Sequence, residues 1–142
     1  KTLAWSLTKD IKKERLMKEY ESSKLQGIHI HCPEGAVPKD GPSAGTAITV
    51  TLYSLLNNLK IKNTVAITGE INLQGCVTAI GGLDLKILGG IEAGVKEFMF
   101  PKENLEDFDK FREKYESTGI TENIKFHPIE TIKEALDIAI EK

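Results

Sequence analysis

The sequence predicts an α/β or α+β domain in which helices pack on a mixed sheet. The main reason is that its last four predicted elements alternate between strand and helix. VKEFMFP is typical of a buried strand, which Pro101 closes, and residues 103–116 have the pattern of a polar amphipathic helix. NIKFHPI predicts another strand and residues 130–141 a final helix. A chain of 142 residues is the size of one domain with a buried core.

The first half of the chain adds further elements to this domain. Apolar residues at helical spacing predict an initial helix, which starts so abruptly that we expect the chain to begin inside a larger domain. IHIHC predicts a strand, and PEGAVPKDGP is too rich in proline and glycine for regular structure. SAGTAITVTLYSLLNN predicts a helix, and NTVAITGEI and CVTAI predict two strands. Gly81 and Gly82 then open a helix with the sequence LDLKILGGIEAG.

Composition narrows the functional classes. Hydrophobic residues make up 40% and charged residues 28%, an ordinary balance without a disorder signature. The net charge of −2 gives no general attraction to nucleic acid or anionic membranes. No apolar run approaches the roughly 20 residues of a membrane span, and the first residues lack a signal-peptide layout. We interpret Cys32 and Cys76 as reduced thiols, although a disulfide between them stays open, and expect a cytoplasmic protein or one of an organelle matrix.

Ser43 lies where the loop PKDGP becomes a helix. Gly41 and Gly45 allow sharp bending and close approach of a ligand, while Pro42 makes the bend rigid. At a helix N-terminus, free N–H groups favour an anion, so the backbone N–H groups of Ser43 and Ala44 are candidate donors to an oxyanion. Two other interpretations stay open from these residues. Ser43 could simply cap the helix, or the N-terminus could bind phosphate, although the loop lacks Walker spacing.

A nucleophilic serine needs a base, and Lys86 is one candidate. Its apolar neighbours would keep the amine partly out of water, which favours the neutral form that a base requires. A surface lysine on an amphipathic helix is the alternative. His29 and His31 share one face of the predicted strand, which suits a metal pair or a catalytic base. No third metal ligand stands out, and a structural or hydrogen-bonding role is favoured over both. His127 is expected to be a half-exposed strand residue.

PEGAVPKDGPSAG, TGEINLQGCVTAIGGLDLK and VKEFMFPKENLEDF together resemble the protease domain of the Lon family. The resemblance runs from about His29 to the C-terminus, with a weaker match through AWSLTK. PKDGPSAG is specific to the branch with a fused soluble ATPase. Lys86 follows Ser43 by 43 residues, as in the family pattern.

The resemblance implies a fold, a site and an activity. The fold would be the Lon catalytic fold, related to the ribosomal protein S5 domain 2-like superfamily. Ser43 would be the nucleophile, Lys86 the general base and Thr68 a threonine that holds the lysine amine. His29 and His31 would lie near the site, and Asp40 would take part in switching the loop around the serine. Such proteins form rings, usually hexamers, and degrade unfolded or damaged polypeptides threaded by an AAA+ motor.

Three departures from the family pattern accompany this resemblance. Strands that normally begin the protease domain are absent, so residues 1–142 are expected to be an N-terminally truncated proteolytic domain. The ATPase and N-terminal domains are absent too, so this chain would hold no cofactor or metal, and ATP and Mg²⁺ would act on the full-length enzyme. Gly89 and Gly90 replace residues that are usually alanine. The rival functions are a non-catalytic Lon-like oligomerisation domain and a GHMP-type small-molecule kinase.

Overall fold

The computed structural model describes residues 1–23, 29–30 and 41–141. Within these residues the chain forms six α-helices and five strands. The helices are α1 (Thr2–Leu7), α2 (Asp10–Ser23), α3 (Gly45–Asn57), α4 (Leu83–Glu92), α5 (Leu105–Tyr115) and α6 (Ile132–Ala139). The strands are β1 (Val65–Ile67), β2 (Glu70–Ile71), β3 (Val77–Thr78), β4 (Glu97–Pro101) and β5 (Lys125–Ile129).

Three strands form a parallel sheet in the order β1-β4-β5. Ala66 pairs with Phe98, which in turn pairs with Phe126, so β4 is the central strand. Helix α4 connects β1 to β4 along the chain and α5 connects β4 to β5, as parallel pairing requires. The short strands β2 and β3 form a separate antiparallel pair. Helices packed on a parallel sheet confirm the predicted α/β class, whereas the expected mixed sheet is, in the described residues, a parallel sheet and a separate antiparallel pair.

The central strand β4 is buried on both faces, which is why its sequence is continuously apolar. Met99 belongs to an apolar cluster with residues of α3, β3 and α6. Phe98 and Phe100 point the other way and join a cluster built from α4 and α5. The rings of Phe100 and Phe108 are 4.7 Å apart there. The sheet is therefore covered on both sides.

Two expected elements differ in the structure. The initial segment is two helices, because Thr8 adopts an extended conformation after α1. Its hydroxyl donates to the carbonyl of Ala4 at 3.0 Å and accepts from the amide of Asn57 in α3 at 3.0 Å, which fixes the break. In α2 the side chain of Ile11 is 76% exposed, so the apolar stripe does not continue into a buried face.

The run NTVAITGEI is divided between β1 and β2 at Thr68 and Gly69. The N–H of Gly69 bonds to Ser43 and its carbonyl to Thr46, so the strand does not continue through this residue. Of the predicted strand IHIHC, His29 and Ile30 lie in no strand, and the other three residues lie outside the described part of the chain. Among the described ranges, no helix combines the length and the apolar character needed to cross a bilayer.

Candidate active site

Ser43 lies in the turn that immediately precedes α3, as the sequence predicts. Gly41 has a φ of +87°, a conformation that favours glycine. The carbonyl of Pro42 accepts from the N–H of Gly45 at 2.9 Å and closes the turn onto the first residue of the helix. Ser43 itself is half-buried. A proline, two glycines and a helix start thus hold the serine in a bent, fixed loop.

The helix cap is Ala44 rather than Ser43, and no side chain of the described residues caps the helix. The N–H of Thr46, which a capping side chain would normally reach, donates to the carbonyl of Gly69 at 3.1 Å. Among the described residues, the N–H groups of Ser43 and Ala44 have no backbone acceptor. The capping interpretation of Ser43 is therefore wrong, and two N–H groups beside its hydroxyl lack a partner within the described part of the chain.

Thr68 and Gly69 attach this turn to the end of β1. The N–H of Gly69 donates to the carbonyl of Ser43 at 2.9 Å, and the Thr68 hydroxyl donates to the same oxygen at 3.4 Å. The Gly69 carbonyl accepts from the hydroxyl of buried Thr46 at 2.9 Å. A Cβ on Gly69 would lie 2.6 Å from Val77 Cγ1 and 2.9 Å from Thr46 Oγ1. Only glycine lets the strand end approach the serine turn this closely.

Lys86 lies in the first turn of α4, which begins after Gly82 in a left-handed conformation with φ of +65°. Leu83 and Ile87 are buried on the core side of the helix, while Leu85 is 70% exposed. Lys86 lies on the flank between these two faces and is half-buried. Its amine donates to the carbonyl of Gly81 at 3.0 Å. This hydrogen bond is exposed, so the structure does not show the expected shielding of the amine by apolar neighbours.

The structure brings two of the predicted site residues together and leaves a third apart. Thr68 contacts the Ser43 carbonyl through its hydroxyl. The Lys86 amine bonds to Gly81, and among the described residues it makes no hydrogen bond to Ser43 or Thr68. The predicted contact between Thr68 and Lys86 is therefore not made in this structure.

Of the remaining predicted site residues, the structure describes only His29. His29 is exposed, whereas His31 and Asp40 lie outside the described residues. In the described part of the chain, no cluster of three or more His, Cys, Asp or Glu side chains is arranged to hold a metal.

His127 is half-buried and lies away from Ser43, in an ion-pair cluster beside the start of β4. Its Nε2 lies 2.8 Å from the Glu97 carboxylate, which also accepts from Lys62 Nζ at 3.0 Å. The hydrogen bond from Lys62 holds the pKa of Glu97 below its usual value, and the one from His127 adds to this, while partial burial opposes both. Glu97 is the first residue of β4 and pairs with the first residue of β1, whereas Thr68 follows the last. The cluster is thus at the opposite end of the sheet from Ser43.

Sequence reasoning did not single out Gly69 and Thr46, although both shape the serine turn. One signal was present, since an isolated glycine in a strand pattern indicates a bulge or a close backbone approach. Gly69 interrupts NTVAITGEI in that way. Nothing in the sequence indicates that Thr46 bonds to it.

Comparison with known proteins identifies the family of this chain. The profile of the Lon protease (S16) C-terminal proteolytic domain matches residues 2–142. The chain belongs to the Lon proteolytic-domain family. The family membership agrees with the mixed fold and confirms the resemblance noted from PKDGPSAG.

Individual relatives agree with this assignment. The chain is 40% identical over 129 residues to a Lon protease of Xanthomonas oryzae, covering 91% of this chain and 15% of that protein. It is 44% identical over 117 residues to a Lon protease of Treponema pallidum, covering 82% of this chain and 13% of that protein. It is 46% identical over 113 residues to one of Flavobacterium johnsoniae, covering 80% and 13%. The chain thus spans 13–15% of the length of these relatives and corresponds to a Lon-type proteolytic domain.

Proposed function

We propose that this chain is a serine endopeptidase domain in which Ser43 is the nucleophile and Lys86 the general base. The observation that carries the proposal is the uncapped serine on a fixed turn. Its carbonyl is held by Gly69 and Thr68, and its hydroxyl caps no helix. A serine presented in this way is available to attack a carbonyl carbon. Membership of the Lon proteolytic-domain family supports a peptide bond as the target.

The reaction runs in two steps. Neutral Lys86 takes the proton of the Ser43 hydroxyl as its oxygen bonds to the peptide carbonyl carbon. The N–H groups of Ser43 and Ala44 stabilise the negative oxygen of the tetrahedral intermediate. The carbon–nitrogen bond then breaks, and the lysinium returns the proton to the leaving amine. In the second step Lys86 takes a proton from a water as its oxygen bonds to the ester carbon. The bond from that carbon to the Ser43 oxygen then breaks, and the lysinium returns the proton to Ser43.

Catalysis requires the Lys86 amine to leave the Gly81 carbonyl and to turn toward Ser43. A lysine side chain has four rotatable bonds, and its hydrogen bond to Gly81 is exposed, so this rotation breaks only one solvent-facing contact. Hydrogen bonds of catalytic groups commonly tighten only when substrate is bound. The Thr68 hydroxyl, which already lies beside Ser43, would then form a hydrogen bond with the amine.

The proposal extends to the larger assembly. ATP and Mg²⁺ would act on an AAA+ motor that threads unfolded or damaged polypeptides into a ring, expected to be a hexamer, in the cytoplasm. The named relatives are several times longer than this chain, so their length leaves room for such a motor. The roles of His29, His31 and Asp40 near the site stay part of the proposal.

Peptide cleavage by the complete gene product, with and without ATP, tests the proposal. Ser43→Ala and Lys86→Ala should each abolish cleavage while the circular dichroism spectrum stays unchanged. Ser117→Ala and Lys133→Ala, which change exposed residues of the same types, should retain full activity. Cleavage by either of the first two variants at more than a tenth of the wild-type rate would remove the dyad. A folded wild type that cleaves nothing would favour a non-catalytic oligomerisation domain, and nucleotide binding by this chain would favour the kinase.

A further inference from the structure

Asn104 has one of the most buried polar side chains of the domain, although it lies outside the predicted site. Only 3% of the residue is exposed. Its Oδ1 accepts from the N–H of Ile80 at 3.0 Å, and its Nδ2 donates to the carbonyl of Ile80 at 2.9 Å. The same Nδ2 donates to the carboxylate of Asp107 at 2.8 Å. The amide therefore binds both backbone groups of one residue 24 positions away in the chain.

The orientation of this amide is fixed by chemistry. The ionised carboxylate of Asp107 can only accept, so the atom facing it must be the nitrogen. Both hydrogens of the nitrogen and the oxygen are then used, and the side chain has no alternative orientation with the same bonds. The neighbouring Glu103 makes a further contact with the same segment, because its carboxylate accepts a hydrogen bond from the N–H of Ala79 at 2.7 Å.

These bonds fix the segment that leads into α4. Ile80 is followed by Gly81 and Gly82, and a Cβ on either glycine would meet no atom within 4 Å. Two glycines in open space contribute no side-chain packing, so the position of this bend depends on the hydrogen bonds of the residues before it. Gly81 provides the carbonyl that holds the Lys86 amine at 3.0 Å, and Gly82 accepts from the N–H of Lys86 at 3.2 Å.

We propose that Asn104, assisted by Glu103, is a positioning residue that sets where the Lys86 amine lies relative to Ser43. Asn104 touches no reacting atom. It acts by fixing Ile80, which fixes the glycine bend and hence the first turn of α4. This inference rests on the proposed function, since it assigns a second residue to the placement of the same base. A displacement of about 1 Å at a reacting group can cost about a hundredfold in rate, so a loose bend is costly.

The test compares two buried asparagines in the complete gene product. Asn104→Ala should lower kcat per folded molecule by about tenfold or more, with KM changed by less than about threefold. Asn57→Ala is the matched control, since Asn57 is 4% exposed and also bonds through its amide, but to Thr8 and Tyr53. It should lower thermal stability similarly and leave kcat per folded molecule within about twofold. Equal losses of kcat in both variants, or none in Asn104→Ala, would overturn the inference.

A second pair keeps the test decisive if Asn104→Ala does not fold. Glu103 is exposed, so its substitution leaves the core intact. Glu103→Ala removes the acceptor for Ala79 and should lower kcat by about threefold, whereas Glu103→Gln retains an acceptor and should restore the wild-type kcat. Equal kcat values for the two Glu103 variants would count against the proposal. If Ser43→Ala and Lys86→Ala retain cleavage, the proposed function itself has failed, which these variants reveal independently.

Discussion

The N–H of Gly69 donates to the carbonyl oxygen of Ser43 at 2.9 Å. This bond joins the end of β1 to the turn before α3, two segments that are 26 residues apart in the sequence. It fixes the orientation of the Ser43 peptide plane, because the carbonyl must point at the strand. The Ser43 hydroxyl does not cap the helix. The strand end is thus part of the serine site.

Gly69→Ala is expected to damage both stability and activity. The new Cβ would lie 2.6 Å from Val77 Cγ1, which buried packing cannot accommodate without movement of β2 or the serine turn. Overpacking of this kind typically costs about 1–3 kcal/mol. Urea unfolding should show that loss, and peptide cleavage should fall by more than the unfolded fraction explains. Unchanged cleavage in the folded variant would show that the serine turn does not depend on Gly69.

Thr68→Val is expected to lower kcat by about tenfold while the fold is retained. The substitution removes the hydroxyl that is proposed to hold the Lys86 amine beside Ser43 by a hydrogen bond. Thr68→Ser keeps a hydroxyl and should retain most of the activity. Steady-state cleavage of a fluorogenic peptide measures both. If the valine variant is fully active, Thr68 has no role in placing the amine.

The two glycines within α4 should respond differently to alanine. Gly89 has open space where a Cβ would be, so Gly89→Ala should stabilise the helix by about 0.5–1 kcal/mol. A Cβ on Gly90 would meet the ring of Phe98 at 3.0 Å, so Gly90→Ala should give no such gain. Thermal unfolding followed by circular dichroism compares them. An equal gain in both would mean that the Phe98 ring moves aside without cost.

The Lys62–Glu97 pair should make stability depend on acidity. The Glu97 pKa is below its usual 4.5 in the folded state, mainly because of the hydrogen bond from Lys62. A depressed folded pKa contributes stability that is full above about pH 4.5 and is lost as the pH falls through the lower folded value. Lys62→Met should therefore reduce the free energy of unfolding by about 1 kcal/mol at pH 7 and make it depend less on pH below 4.5.

The surface pair Lys110–Glu106 provides the control for that experiment. Its side chains are 67% and 84% exposed and screened by water, so Lys110→Met should leave the free energy of unfolding and its dependence on pH essentially unchanged. Urea unfolding at several pH values distinguishes the two variants. Identical acid curves for wild type and Lys62→Met would contradict the assignment of the shift to Lys62.

Sequence patterns predicted the second half of the fold well, because each of its elements has a regular pattern of buried positions. VKEFMFP is apolar on both faces since β4 is central, and its strand was predicted for that reason. The break at Thr8 could not be predicted, since it depends on a hydrogen bond from Asn57, 49 residues away. Strand β2 likewise separates from β1 only because Gly69 turns to meet Ser43.

The site also has a part that the sequence predicts and a part that it does not. Ser43 before a helix follows from local chemistry, because glycine and proline dictate the bend. The contacts that hold the serine turn do not, since Thr46 bonds to Gly69, 23 residues away in the chain. The bonds of Asn104 to Ile80, before α4, likewise join residues 24 positions apart. Lys86 could be selected only by resemblance to a family, as its local pattern also fits an ordinary surface lysine. Its hydrogen bond to Gly81 had no signal in the sequence.

Covalent labelling of Ser43 in the complete gene product tests the central claim most directly. A fluorophosphonate probe reacts with a serine whose proton is removed by a neighbouring base, and mass spectrometry of the digest locates the adduct. We expect the adduct on Ser43 in the wild type, its loss in Lys86→Ala, and its retention in Lys133→Ala. Equally fast labelling of Ser43 with and without Lys86, or labelling of another serine only, would contradict the assignment of Lys86 as the base.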